Sequence, residues 1–175
     1  MSLLELVIAS SMMAMVMATV MVVLRTGRQA WDAHEGDYVR IEAAHATLRH
    51  IVRQIRQADA VDGLTRATDG SGSPADKLTL LMPVTLLKPL GEKQVWQRDG
   101  STNQVNYGTD VVTPTALLAP EITGLRFTGF LADGVQETAN PSEMQCLRVD
   151  VSVTLPAREI GGARTVSSWG WIRSW

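Results

Sequence analysis

One acidic residue near the start of the chain is placed where charge is costly. Glu5 lies in the run SLLELVIA, directly before the stretch from Leu6 to Leu24, which contains no charged residue and no proline. That stretch is long enough to cross a hydrocarbon layer of about 30 Å as a helix. A carboxylate in such a helix costs on the order of 3 kcal/mol and is usually functional and paired. Glu5 is therefore the first candidate for a functional charge.

The partner of Glu5 has to be a cation at the same depth. No Lys or Arg precedes Arg25, so the nearest candidate is an N-terminal amine, a group that is mostly protonated at neutral pH. The amine of Met1 lies about one turn from Glu5 in the same helix, and the amine of a neighbouring parallel helix can also reach it. The second arrangement would fix the axial register between subunits, because a buried charge is most costly when it is unpaired.

Three tryptophans near the end of the sequence are the second candidate set. Trp169, Trp171 and Trp175 alternate with smaller residues, so their indole rings can share one face of a strand. We expect them to pack in the core or on the helix. The alternative is a partner-binding surface, because tryptophan is enriched among the residues that anchor interfaces.

Other residue types that could hold a metal or react form no recognisable pattern. Cys146 is the only cysteine, and His45 and His50 are five residues apart, so they point to different faces of a helix. The methionines between Met12 and Met21 surround the helix and are expected to pack as apolar side chains rather than to bind copper. We therefore predict no catalytic residue, cofactor or metal.

Two further binding classes are also disfavoured. Asp62, Asp69 and Asp76 lie in a Gly-rich loop, but their spacing matches no compact calcium loop, and solvated turns are the expectation. The net charge of −2 and the pI near 5.9 provide no basic surface for nucleic acid. The sequence predicts neither an enzyme nor a nucleic-acid-binding protein.

One long helix is expected to carry Glu5. No proline precedes Pro74, and helical periodicity runs from Ser2 to about Ala60, with possible weak points at Gly27 and Gly36. Residues 1–24 form an apolar half that is expected to protrude, and residues 25–60 form an amphipathic half that is expected to pack on a sheet. Its apolar stripe is predicted to consist of Val39, Ile41, Ala44, Leu48, Ile51, Val52, Ile55 and Ala58.

Residues 61–175 are predicted to form an antiparallel β-rich domain. Together with the long helix, this domain gives an α+β fold. A loop is expected from Asp62 to Asp76, and turns at Asp99-Gly100, Asp133-Gly134 and Gly161-Gly162. The run CLRVDVSVTL predicts a strand with one apolar face. The predicted strands are Lys77 to Met82, Lys93 to Arg98, Gln104 to Tyr107, Glu121 to Leu131, Met144 to Leu155 and Arg164 to Trp175.

The segment MSLLELVIASSMMAMVMATVMVVL closely resembles the N-terminal segment of type IV pilins and type II secretion pseudopilins. Those families show a hydrophobic first residue, Thr or Ser second, two Leu, Glu at the fifth position, and then an apolar run. The resemblance implies that a prepilin peptidase cuts before Met1 and methylates it. It also implies that Glu5 neutralises the amine of an adjacent subunit during assembly.

Further similarities concern the subfamily. Major pilins commonly have proline where this chain has Val22, which favours a minor subunit. The segments LRHIVRQIRQADAV, VWQRDG, LLAPEITGLRFTGFLADG and CLRVDVSVTLPAR resemble, in this order, the J-like minor pseudopilins and the W-like minor pilins. The resemblance therefore implies a pilin or pseudopilin fold.

The expected function is that of a structural subunit in a periplasmic type II secretion pseudopilus, or at its tip. Other pilin-like subunits, an inner-membrane assembly platform and secreted cargo are the expected partners, and the small residues Ala9, Ala14 and Ala18 would permit close helix packing. The expected location is the bacterial inner membrane, with the globular domain in the periplasm. Arg25 and Arg28 instead favour a cytoplasmic flank under the positive-inside rule.

Two alternatives remain open. The first is a minor pilin that primes a type IV or competence pilus. The second is a membrane-anchored periplasmic binding domain that never enters a filament.

Overall fold

The computed structural model describes residues 2–65, 75–84, 91–155 and 162–173. It contains one long helix at the N-terminal end, a five-stranded antiparallel sheet and a three-stranded antiparallel sheet. The predicted α+β class is therefore confirmed. The chain divides into two compact units, one up to Tyr38 and one from Val39 onward. The boundary falls inside the segment predicted to be the amphipathic half of the helix.

Helix α1 runs unbroken from Leu3 to Ile55. Its sequence contains no proline, and the residues Met, Leu, Ala and Arg, which are strong helix formers, are frequent in it. Gly27 and Gly36 do not interrupt it. The last turn tightens where the Gln57 N–H donates to the Gln54 carbonyl, and β structure follows directly.

Within the described residues, eight strands follow α1 in two antiparallel sheets. The strands are β1 (Ala60–Thr65), β2 (Lys77–Met82), β3 (Glu92–Asp99), β4 (Gln104–Gly108), β5 (Ala116–Ala119), β6 (Ile122–Phe130), β7 (Cys146–Thr154) and β8 (Ala163–Trp171). The first sheet is a meander in the order β1-β2-β3-β4-β5, and the second has the order β6-β7-β8. A short 3₁₀ helix, Pro141–Glu143, lies between β6 and β7.

One hydrophobic core joins the C-terminal part of α1 to both sheets. It contains Leu48, Ile51 and Ile55 from the helix, together with side chains from the five-stranded and three-stranded sheets. In β7 the alternation is as predicted, because Leu147, Val149, Val151 and Val153 are fully buried. Cys146, which was predicted on the opposite face, is also buried, since it lies at the end of β7 opposite Phe130 and Trp171.

Several predicted boundaries require correction. The helix ends at Ile55 and not near Ala60, because Ala60 pairs with Leu81 and begins β1. Part of the loop expected from Asp62 onward is thus strand, and β5 was not predicted at all. Val39, expected on the buried stripe, is 57% exposed.

Candidate assembly site

The first turn of α1 is closed by a capping box formed by Ser2 and Glu5. The Leu4 N–H donates to the Ser2 side-chain oxygen (3.3 Å), and the Ser2 N–H donates to Glu5 Oε2 (3.4 Å). The Ser2 carbonyl accepts the first helical hydrogen bond, from the Glu5 N–H (3.0 Å). This reciprocal pattern satisfies backbone donors that a helix start otherwise leaves open. Glu5 therefore has a local partner that was not predicted.

The spacing that indicates this cap was present in the sequence. Ser followed three residues later by Glu, immediately before an apolar run, is the signature of a capping box. Glu5 was predicted only to pair with a cation, and the cap was missed. Met1, the predicted processing residue and amine donor, lies outside the described residues.

The apolar stretch that follows Glu5 is exposed along its whole length. Every side chain from Ser2 to Asp32 is exposed, including Leu3 (84%) and Met21 (76%). By length and composition, this N-terminal helix can cross a membrane. An apolar surface this large is typical of contact with lipid or with other chains.

The hydroxyl groups within this stretch are satisfied by their own helix. Ser10 donates to the Val7 carbonyl (3.0 Å), and Ser11 donates to the Ile8 carbonyl (2.8 Å). Thr19 donates to the carbonyls of Met15 and Val16 at 3.0 and 2.8 Å. Unpaired donors are costly in an apolar environment. These hydroxyls thus present no unpaired donor to lipid or to a neighbouring helix.

The predicted packing residues do not all share one face. Ala14 and Ala18 are four residues apart and lie one above the other on the helix, and Ser11 precedes Ala14 by three. Ala9 is five residues from Ala14 and lies on a different face. Ser11, Ala14 and Ala18, here named the small-residue face, allow another helix to approach closely.

Two of the three predicted tryptophans lie together on the outer face of the second sheet. Trp169 and Trp171 are 40% and 52% exposed, so they are not core residues. The Trp169 ring packs against Phe130 with 4.8 Å between centroids, and the Arg148 guanidinium lies 5.9 Å from the Trp169 ring centre. Trp175 lies outside the described residues.

The remaining candidate groups have ordinary structural surroundings. Asp62 pairs with Lys93 Nζ at 2.8 Å, and Asp69 lies outside the described residues. In the described ranges, no three His, Cys, Asp or Glu side chains are grouped to hold a metal.

Burial raises the pKa of the Cys146 thiol, which favours the protonated form. Burial, with a smaller contribution from Arg53, lowers the pKa of His50.

Comparison with known proteins adds no relative. No family model, curated protein or solved structure matches this chain. The residues of α1 are consequently the basis for inferring a function.

Proposed function

We propose that this protein is a structural subunit of a type IV pilin-like filament, a minor pseudopilin of type II secretion that assembles through parallel N-terminal helices. The observation that carries the proposal is the first half of α1. Its apolar side chains are exposed, its hydroxyl groups are hydrogen-bonded within the helix, and the apolar surface begins at a single carboxylate, Glu5. An ordinary anchor needs the apolar length, but it does not need an acidic residue at the head of the span.

The pairing of Glu5 explains how subunits would find their register. In a bundle of parallel helices the amine of one Met1 would approach the Glu5 carboxylate of its neighbour. Each subunit would then be held at a fixed axial step, because any other step leaves two charges unpaired in an apolar environment. The Ser2 cap uses Oε2 of Glu5, and a carboxylate has further lone pairs for an incoming amine.

Assembly requires the helix to exchange lipid for neighbouring helices. Without a hydrophobic difference between lipid and protein, close packing at small residues drives association. The small-residue face supplies such a surface. Prepilin peptidase, an inner-membrane assembly platform and secreted cargo are the partners that this function implies.

A substitution at the small-residue face tests the assembly role. Ala14→Arg places a charge near the middle of the apolar stretch Leu6 to Leu24, which costs about 2.5–3.5 kcal/mol on insertion scales and blocks close approach. We expect its incorporation into sheared filaments to fall by at least about tenfold, and Ala14→Ser to incorporate normally. Membrane fractionation shows that each variant is present. Normal incorporation of Ala14→Arg would contradict the proposal.

A minor pilin of a type IV or competence pilus is the second candidate, favoured by the same N-terminal residues. Deletion strains separate the two functions. Retained secretion substrates indicate a pseudopilin, whereas lost pili with intact secretion indicate a pilus primer. An anchored binding domain, the third candidate, would keep its activity without residues 1–24.

A further inference from the structure

The two sheets have four edges, and in the described ranges three of them are covered or short. Strand β1 lies against the 3₁₀ helix, and β5 has only four residues, between Pro114 and Pro120. Strand β6 is bonded to Ala75, whose N–H donates to the Phe127 carbonyl (2.9 Å) and whose carbonyl accepts the Phe127 N–H (2.7 Å). Such features protect sheets from pairing with other chains.

Among the described residues, none covers the fourth edge, β8. The strand is nine residues long, contains neither proline nor lysine, and has one charged residue, Arg164, near its start. The Ile172 N–H donates to the Gln145 carbonyl. Because every second residue of an antiparallel strand bonds to its partner strand, Gly170 and Ser168 also direct their N–H and C=O groups toward β7. The alternate residues therefore turn their N–H and C=O groups outward, and no described residue bonds to them. These outward residues are Ala163, Thr165, Ser167, Trp169 and Trp171.

A cationic groove runs beside this edge on its inner side. The groove has a volume of about 440 Å³ and lies between the last turns of α1 and Ser168 of β8. Leu48 and Val52 form its apolar floor. Its charged lining consists of Arg49, Arg53 and Arg56.

No carboxylate balances these arginines within the groove. Its lining contains no Asp or Glu, and no described carboxylate forms an ion pair with Arg53 or Arg56. The groove therefore favours acidic side chains.

The outer side of the same edge is aromatic. Trp169 and Trp171 point to this side and are about half exposed. A strand that paired with β8 would alternate its side chains between the two sides. One set would enter the groove beside the arginines, and the other would contact the indole rings.

We propose that the β8 edge binds a partner polypeptide as an added antiparallel or parallel strand, with carboxylates toward the arginine-lined groove and apolar side chains toward Trp169 and Trp171. Main-chain hydrogen bonds supply affinity in this mode, and alternate side chains supply specificity. The partner is acidic, because a second copy of this chain would bring a second set of the same arginines. This site is separate from the assembly function of α1.

A synthetic strand tests the proposal on the full chain in detergent micelles. The probe is a blocked nine-residue peptide that alternates valine and glutamate, matched to the length of β8. The control peptide alternates valine and lysine. We expect calorimetric titration to show binding of the glutamate peptide, at least about tenfold tighter than the lysine peptide. No binding of the glutamate peptide, or equal binding of both, would overturn the proposal.

Edge variants separate strand addition from simple charge attraction. Ser167→Pro removes one outward N–H at a position where an edge strand tolerates proline, and we expect it to weaken binding at least about tenfold. The matched control Ser167→Ala keeps the backbone donor and should bind within about twofold of wild type. Unchanged binding by Ser167→Pro would overturn the proposal.

Charge variants test the groove even if the proline variant does not fold. Arg53→Glu combined with Arg56→Glu should weaken binding at least about tenfold, whereas Arg126→Glu, an exposed arginine of β6, should not. Equal loss in both variants would overturn the proposal. So would sedimentation showing that wild type self-associates through this edge and that Ser167→Pro is monomeric.

Discussion

Glu5 serves its own helix and, in the proposed function, the next subunit. The capping box with Ser2 accounts for a local stabilisation of about 1 kcal/mol, typical of helix caps. A cap does not require a negative charge, because Gln serves the same role in a capping box. The capping box therefore does not require the charge on Glu5, which also interacts favourably with the helix dipole in the first turn and which the proposed assembly would use.

Burial of the His50 side chain disfavours its charged form. Its Nδ1 is buried without a hydrogen-bond partner among the described groups, and its ring meets those of Trp96 and Tyr107 edge-on. Desolvation lowers its pKa below the ordinary value of 6.5, and the Arg53 charge lowers it further. The neutral form is consequently favoured in the folded chain.

Acidification should destabilise the protein through His50. The unfolded chain takes up this proton as pH falls through about 6.5, while the folded chain resists it, so the free energy of unfolding decreases until the lower folded-state pKa is passed. We expect His50→Gln to lose less stability than wild type between about pH 7.5 and about pH 5.5. Urea unfolding at both pH values measures the difference, and equal losses would refute the role of His50.

At the scale of elements, strands with regular alternation were predicted from the sequence, whereas an interrupted strand and a very short strand were missed. The bounds of β2 were predicted as observed, and those of β3, β4 and β6 to within one residue. Strand β1 was missed because Gly63 and a bulge interrupt its alternation. Strand β5 was missed because its few residues between prolines read as a loop.

The extent of α1 depends on tertiary pairing. Helical periodicity continues past Ile55 in the sequence, yet Ala60 pairs with Leu81 of β2. Sheet pairing therefore ends the helix earlier than the local pattern predicts. The exposure of Trp169 and Trp171 could not be predicted from alternation either. Alternation places residues on one face of a strand, but it does not show whether another element covers that face.

The contact between α1 and β8 tolerates no added volume at Gly170. A Cβ there would lie 2.7 Å from Ile55 Cγ2, and the Ile55 side chain is fully buried. Gly170→Ala should lower the free energy of unfolding by about 1–3 kcal/mol through overpacking. Denaturant unfolding measures this, with Gly63→Ala as the control because its added Cβ meets nothing within 4 Å. Equal effects of the two variants would contradict this packing.

For the whole molecule, the buried core and the exposed apolar part of α1 lie in different parts of the chain. The buried core begins at Ala44 and extends to Ile172, and no described side chain before Val39 belongs to it. The N-terminal half of α1 instead keeps its apolar side chains exposed. The described core is therefore formed without side chains from the exposed part of the helix.

Deletion of residues 1–38 tests that separation. We expect the remaining fragment to keep its cooperative unfolding, with a free energy within about 1 kcal/mol of the full chain, because no core contact is removed. Sedimentation with membranes should be lost. The full chain in micelles is the control, and a fragment that lacks a cooperative transition would show that the separation is wrong.

The most direct test of the assembly account is to compare Glu5→Gln with Ser2→Ala in filament incorporation. Gln preserves the cap and removes the charge, whereas Ser2→Ala weakens the cap and preserves the charge. We expect Glu5→Gln to reduce incorporation at least about tenfold, since an unpaired amine in an apolar bundle costs about 3 kcal/mol or more. Ser2→Ala should incorporate nearly as wild type. Normal incorporation of Glu5→Gln would contradict the account.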